Sequence, residues 1–176
     1  MFESDLSKYA AVVFLNTPGD GFNELQRQKF KDYIHAGGNS VVIHRGVTGT
    51  DAWPWYEEMV GRSFKVHPMI QTAVINTIDP TFPATFAVPQ HWLWSDEWYE
   101  VVNPHNTTIH KILNVDESTY DPTKIWVGQT ATGMGKDHPI SWYHEFEGGR
   151  VFVTAIGHNA ELYKDNIYLE HIYGGI

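Results

Sequence analysis

Two short apolar runs separated by an amphipathic helix constrain the fold of this chain more than any other feature. The first run, Tyr9–Leu15, is continuously apolar and has the length of a strand buried on both faces. Asn23 and Gln26 form a capping-box pattern at the start of a helix, and Gly37-Gly38 ends it. Ser40–Ile43 is a second buried strand. This order predicts a βαβ unit with two adjacent parallel strands.

The rest of the chain predicts an α/β protein whose sheet is mixed but mainly parallel, flanked by helices, and followed by a C-terminal β-hairpin and helix. Further strands are predicted at Ile70–Asn76, Glu97–Val102 and Thr108–Val115, and helices at Trp55–Val60 and Ala160–Tyr173. Prolines within Asp79–Asp96 indicate an ordered loop, and Asp116–Asp137 is predicted to be a long polar loop. The hairpin covers Ile140–Ile156, with Gly148-Gly149 as its two-residue turn.

Composition excludes several classes of function. A length of 176 residues suits one domain, 1–176, whose core needs no disulfides. The net charge of −9 and the lack of a basic cluster argue against a nucleic-acid partner. No apolar run approaches the roughly 18 residues of a membrane helix, and the acidic N-terminus is no signal peptide, so a cytoplasmic protein without a membrane partner is expected. The chain has no cysteine, which excludes a thiolate nucleophile and thiolate metal ligands.

Three histidines are predicted to lie near one edge of the sheet. His44 follows a buried strand, and ligands of open α/β sheets bind at the carboxyl ends of the strands. A histidine that only satisfies a loop carbonyl is the alternative there. With Gly148-Gly149 as the turn, His138 and His158 lie side by side at the open end of the hairpin. His144 lies about 20 Å from His138, at about 3.3 Å per residue, and is expected to be apart from the site.

The segment Asp96-Glu97-Trp98-Tyr99 combines two carboxylates with two rings. A carboxylate beside a ring is suited to binding sugar hydroxyls, and a partly buried one is suited to proton transfer. A surface carboxylate that caps a loop is the alternative. Aromatic residues make up 14% of the chain, with seven Trp, so part of them is expected to line a pocket. His67, before Pro68, is equally compatible with a ligand-facing and a structural role.

Metal binding is a weaker alternative. His44, His138, His158 and a carboxylate could supply ligands for zinc or another divalent ion. The chain has no His-Glu-x-x-His sequence and no His-x-His pair. We therefore predict no metal ligands and no cofactor, and keep a metal-dependent hydrolase as an alternative.

Several separated motifs, in order along nearly the whole chain, resemble those of the ThuA (trehalose utilisation) family. They are Val41-Val-Ile-His44, Trp53-Pro-Trp55-Tyr56, Phe64-Lys-Val-His67-Pro68, Asp96-Glu97-Trp98-Tyr99, Asp137-His138-Pro139-Ile-Ser-Trp142 and Thr154-Ala-Ile-Gly-His158. The resemblance implies a flavodoxin-like three-layer sandwich of the class I glutamine amidotransferase-like superfamily and a link to sugar catabolism. Where the related amidotransferases have their catalytic cysteine, this chain has His44. Their catalytic histidine matches His158, but Asn159-Ala160 follows instead of Pro-Glu, so glutamine hydrolysis is excluded.

The residue types and the resemblance together select the candidate site. The expected catalytic residues are His44, Glu97 and His158, and the expected substrate-binding residues are Arg45, His67, Asp96, Trp98, Tyr99, His138 and Trp142. Family members usually carry a further N-terminal segment, so the chain is expected to be either a shortened member or a fragment. Without that segment, apolar sheet surface should be left uncovered, and we therefore expect the chain to form a homodimer.

Three functions are compatible with these residues, each with a small carbohydrate as the partner. The first is an enzyme acting on a disaccharide, glycoside or 3-keto-sugar by proton transfer between histidine and glutamate. The second is a carbohydrate-binding or sensory module without turnover. The third is the metal-dependent hydrolase.

Overall fold

A βαβ unit forms at the start of the chain, as the sequence predicts. The computed structural model describes residues 5–48 and 52–176. β1 (Ala11–Leu15) and β2 (Asn39–Ile43) are adjacent and parallel, and α1 (Glu24–His35) connects them. Asn23 accepts a hydrogen bond from the backbone N–H of Gln26, whose side chain accepts one from the N–H of Asn23. The predicted parallel pair and capping box are confirmed.

The described residues form two sheets. The further strands are β3 (Ser63–Val66), β4 (Gln71–Thr77), β5 (His91–Asp96), β6 (Glu100–Val102), β7 (His110–Asp116), β8 (Pro139–Phe146) and β9 (Gly149–Thr154), and the further helices are α2 (Pro54–Val60) and α3 (Asn166–Gly175). Seven strands of this described part make one sheet in the order β1-β2-β9-β8-β7-β4-β5. β3 and β6 pair in a separate antiparallel ribbon.

The α/β class is confirmed, but the expectation of a mainly parallel sheet is wrong. β1–β2 and β2–β9 are parallel, whereas β9–β8, β8–β7, β7–β4 and β4–β5 are antiparallel. Parallel neighbours need a long crossover connection, usually a helix. Between Val60 and Asn166 the described chain contains no α-helix. The strands in this stretch are therefore joined by hairpins and loops, and they pair antiparallel.

The turn of the β8–β9 hairpin is Glu147-Gly148 and not the predicted Gly148-Gly149. Phe146 pairs with Gly149, which leaves Glu147 and Gly148 as the two central residues. Both have positive φ, 45° and 101°, as a type I′ turn requires. The turn lies one residue earlier than expected, so each residue of β9 pairs two residues away from its expected partner: Arg150 pairs with Glu145 instead of Glu147.

The predicted loop at Asp79–Asp96 contains β5, which was not expected. Burial alternates along this strand, with Trp92, Trp94 and Asp96 on the buried side. The last proline of the segment, Pro89, precedes β5, so the prolines shape only the connection that leads into the strand. The expected strand at Glu97–Val102 is correspondingly shorter and begins at Glu100 as β6.

The expected C-terminal helix is interrupted. Ala160–Lys164 forms a short 3-10 turn, and α3 begins after Asp165, whose carboxylate accepts a hydrogen bond from the backbone N–H of Tyr168. An aspartate at this position satisfies an amide that the first turn of a helix leaves free.

Helices cover both faces of the large sheet. Phe30 of α1 and Tyr56 of α2 pack with Val42 on one face. Tyr168 of α3 packs with Val41 on the other face, because successive residues of a strand point to opposite sides. The described part of the chain thus has three layers, and none of its helices has the length and apolar character to cross a bilayer.

Candidate active site

The candidate site lies beyond the carboxyl ends of two neighbouring parallel strands. β2 ends at Ile43, and the next residue, His44, has a left-handed backbone with φ 49°. β9 ends at Thr154 and leads into His158. The ring centroids of His44 and His158 lie 5.4 Å apart. A left-handed non-glycine residue stores backbone strain, a feature that concentrates at functional sites.

Glu97 stands at the centre of the site. Its Oε2 atom lies 3.4 Å from Nε2 of His44 and 3.6 Å from Nε2 of His67. Its Oε1 atom lies 3.1 Å from Nδ1 of His158. The side chain of His158 is 40% exposed and that of Glu97 only 10%, so His158 is the member of this group that a solute reaches most easily.

Hydrogen bonds determine which ring nitrogens carry protons. Nδ1 of His44 lies 2.9 Å from the carbonyl oxygen of Ala155, and Nδ1 of His67 lies 2.9 Å from that of Pro68. Each Nδ1 must donate to its carbonyl, so a neutral ring presents a lone pair at Nε2. Glu97 therefore faces two imidazole lone pairs. A hydroxyl proton, an added proton or a metal cation between these atoms would reduce the repulsion between the carboxylate and the lone pairs.

Tyr99 supplies a hydroxyl to the same group. The hydroxyl donates to Nε2 of His44 over 3.0 Å. Burial raises the pKa of Tyr99, and the charge of Glu97 raises it further, so the phenol keeps its proton near neutral pH. Burial lowers the pKa of His44 and outweighs the contact with the Ala155 carbonyl. His44 is therefore a neutral acceptor for Tyr99.

Asp96 fixes the backbone of the site through hydrogen bonds. It is fully buried, and its Oδ1 accepts hydrogen bonds from the backbone N–H groups of Glu97 and His158, at 2.9 and 3.2 Å. Its Oδ2 accepts from Gly157 N–H at 2.7 Å and from the indole N–H of Trp94 at 3.1 Å. One carboxylate thus fixes the backbone of two site residues, whereas the sequence predicted substrate binding for it.

Four other expected substrate-binding residues lie outside the Glu97 group. Trp98 and Trp142 are fully buried, and their indole N–H groups donate to the carbonyls of Gln71 and Val60. Arg45 is exposed, next to His44. His138 is buried behind Tyr99, with Nε2 donating to the Tyr99 carbonyl and Nδ1 3.1 Å from Glu117.

His144, which was expected to lie apart, is buried against the end of α2. Its Nε2 donates to the carbonyl of Met59. Burial lowers the pKa of His144 and keeps the ring neutral. It takes no part in the Glu97 group.

A cavity of about 680 Å³ adjoins the site at His67. β3 residues form one wall, and Trp126, Gln129 and Thr130 form the other. The ring of Trp126 meets that of His67 edge-on, with centroids 5.2 Å apart and an interplanar angle of 85°. No local pattern in the sequence singles out Trp126, because it lies in a long polar loop that folding brings next to His67.

Three groups of the site could hold a metal ion. Nitrogens of His44 and His158 and a carboxylate oxygen of Glu97 all lie within 4.8 Å of one another. Two histidines and a glutamate are a donor set of catalytic zinc sites that keep one position open. The Nδ1 bond of His44 to a backbone carbonyl is the outer contact that usually orients a histidine ligand.

Comparison with known proteins assigns the family. The sequence profile of the ThuA family, described as trehalose utilisation, matches residues 1–176. The chain belongs to the ThuA family. This confirms the resemblance seen in the motifs. A search of curated proteins finds no match to the chain.

Solved structures similar to this ThuA-family protein share its fold at low identity. A ThuA-like protein from Bacteroides uniformis is 20% identical with a TM-score of 0.76, and covers 98% of this chain and 73% of its own. A ThuA-like protein from Parabacteroides merdae is 21% identical with a TM-score of 0.76, and the match covers 99% of this chain and 71% of that protein. A β-galactosidase from Rahnella sp. R3 is 10% identical with a TM-score of 0.60, and the match covers 98% of this chain and 23% of that enzyme.

Proposed function

We propose that this ThuA-family protein is an enzyme that transfers a proton on a carbohydrate, such as a disaccharide, glycoside or 3-keto-sugar. The observation that supports this most directly is the contact of one buried carboxylate, Glu97, with three imidazoles at distances of 3.1 to 3.6 Å. Imidazole and carboxylate side chains are the groups that most often act as general acids and bases in enzymes.

His158 is the best placed base. Its Nδ1 lies 3.1 Å from Oε1 of Glu97. In the tautomer with the proton on Nδ1, the other ring nitrogen, Nε2, carries a lone pair that can take a proton from a substrate. The proton on the carbon beside a sugar ketone is acidic enough for such a base. When Nε2 takes this proton, the C–H electron pair passes into an enolate, and Glu97 stabilises the imidazolium. Delivery of this proton to the enolate oxygen gives an enol, which is an isomer of the substrate. Departure of a glycosidic oxygen from the next carbon, with the imidazolium proton passing to that oxygen, gives elimination.

Glu97→Gln tests the proposal, because it keeps the shape of the side chain and removes its charge. Turnover of 3-keto-trehalose or a similar keto-glycoside should fall by about 10²-fold or more, the usual size of an acid–base contribution. Sugar affinity should change little. Glu145→Gln is the matched control, since Glu145 is exposed on β8, and it should retain full turnover. Full activity of Glu97→Gln would contradict the proposal.

A metal-dependent hydrolase is the second candidate, and the His44, Glu97 and His158 donor set favours it. A divalent ion there would accept lone pairs from these side chains and would activate a water molecule. The hydroxyl of Tyr99 already occupies Nε2 of His44 and would have to turn away. This competition is the reason for placing proton transfer first.

Metal analysis of the purified protein separates the two candidates. Stoichiometric zinc or another divalent ion, with activity lost on chelation and restored by the ion, would establish the metal-dependent reaction. Unchanged turnover after chelation supports proton transfer by the side chains alone. If sugars bind but no keto-sugar or glycoside is converted, the site is that of a carbohydrate-binding or sensory module.

A further inference from the structure

The cavity beside His67 adjoins the Glu97 group at the His67 side chain. Nε2 of His67 lies 3.6 Å from Glu97, and the ring of the same residue contacts Trp126. A ligand that occupies both the site at Glu97 and this cavity would therefore contact His67. A volume of about 680 Å³ is within the range of small-molecule sites.

The cavity walls combine an open aromatic ring with uncharged polar groups. Trp126 is 43% exposed although its ring contacts that of His67 in a perpendicular arrangement. Gln129 and Thr130, on the same wall, offer an amide and a hydroxyl. An indole face suits the C–H face of a sugar ring, and an amide and a hydroxyl suit its hydroxyl groups.

We propose that this cavity is a subsite for the second ring of a neutral disaccharide or glycoside, with Trp126 stacking on that ring. The inference rests on the proposed function, because the reacting ring is placed at Glu97 and His158. It extends that function by proposing that the substrate has at least two rings. The second ring is then recognised in the cavity, away from the reacting bond.

The charges around the cavity favour a neutral ring over a phosphorylated one. Lys65 is the cation that lines the cavity among the described residues. Its Nζ lies 3.0 Å from Glu100, so an anion would meet an ammonium group that is already paired. A phosphate site would need unpaired basic groups or free backbone amides.

The loop that carries Trp126 is fixed at both ends, so the subsite exists before a ligand binds. On one side, the N–H of Met69 donates to the Lys124 carbonyl. On the other side, Glu100 accepts from the backbone N–H groups of residues 132 and 133, and Glu117 accepts from those of residues 134 and 135. A preformed ring surface avoids the entropy cost of ordering a loop during binding.

Trp126→Ala, with trehalose and glucose as probes in an NMR titration, tests the subsite. Loss of the stacking ring should weaken trehalose binding by about five- to tenfold. Glucose binding should change less than about twofold, since a single ring at Glu97 does not need the second subsite. Trp126→Phe should recover most of the trehalose affinity. Val127→Ala is the control, because Val127 is the fully exposed neighbour on the same loop.

The outcomes separate the subsite from the proposed function. Selective loss of trehalose affinity in Trp126→Ala, together with full turnover in Glu97→Gln, would retain the subsite and remove the proton-transfer mechanism. Equal weakening of both sugars, no effect on trehalose, or no saturable trehalose binding by the parent would overturn the subsite. Tighter binding of trehalose 6-phosphate than of trehalose would overturn the assignment to a neutral ring.

Discussion

Replacement of Asp96 by asparagine should destabilise the protein strongly, because Asp96 is fully buried and accepts hydrogen bonds with both carboxylate oxygens. Its two carboxylate oxygens accept four hydrogen bonds in a fully buried environment. An asparagine has one amide oxygen and one NH₂ group, so two N–H donors lose their acceptor whichever way the amide turns. Each hydrogen bond to a charged group contributes about 1.5–3 kcal/mol. We expect the free energy of unfolding to fall by about 3–6 kcal/mol.

Urea unfolding followed by tryptophan fluorescence measures this loss, and Asp137→Asn is the matched control. The Asp137 side chain is 72% exposed and pairs with Lys111 at the surface, so its replacement should cost less than about 1 kcal/mol. If Asp96→Asn were as stable as Asp137→Asn, the four contacts would not stabilise the fold, and the view that Asp96 fixes Glu97 and His158 would be wrong.

The remaining predictions concern other parts of the molecule. Gly157→Ala should lower the free energy of unfolding by about 1–3 kcal/mol, because φ is 123° there, whereas Gly21→Ala, in open space, should not; equal stability of the two variants in urea would refute this. Burial lowers the pKa of His171 to about 4 from an ordinary 6.5, so the unfolded chain takes up a proton first and stability is lost as pH falls from 6.5 to 4. The parent should lose about 3 kcal/mol more than His171→Gln across that window, and parallel losses in urea would contradict it. We also expect a dimer through the edge strand β1, where Val13 and Leu15 are 44% and 50% exposed, and light scattering that shows a monomer at tens of micromolar would count against it.

Local signals were sufficient for some features of the fold and not for others. The capping box at Asn23 and the strand that ends at His44 depend on neighbours in sequence, and both could be predicted. The direction of the strands after β4 depends on which strands meet in space, which residue patterns do not specify. The hairpin register was shifted because Gly148-Gly149 satisfies the glycine preference of a turn, whereas the folded chain accepts Glu147 at positive φ.

The site shows the same division. Glu97 could be selected by its residue type and its neighbours Trp98 and Tyr99. Its contact with three imidazoles from separate segments could not be predicted, because this contact arises only when distant parts of the chain pack together. Trp126 was missed for the same reason. A tryptophan in a polar loop becomes informative only when the folded loop places it against His67.

Glu100 and Glu117 anchor the Trp126 loop in a way that makes its backbone course independent of most of its side chains. The two glutamates bind main-chain N–H groups, which every residue except proline provides. Side chains at positions 126–130 can therefore be exchanged while the loop keeps its course. Related proteins could then bind different ligands through substitutions at a few of these loop positions, without any change in the Glu97 group.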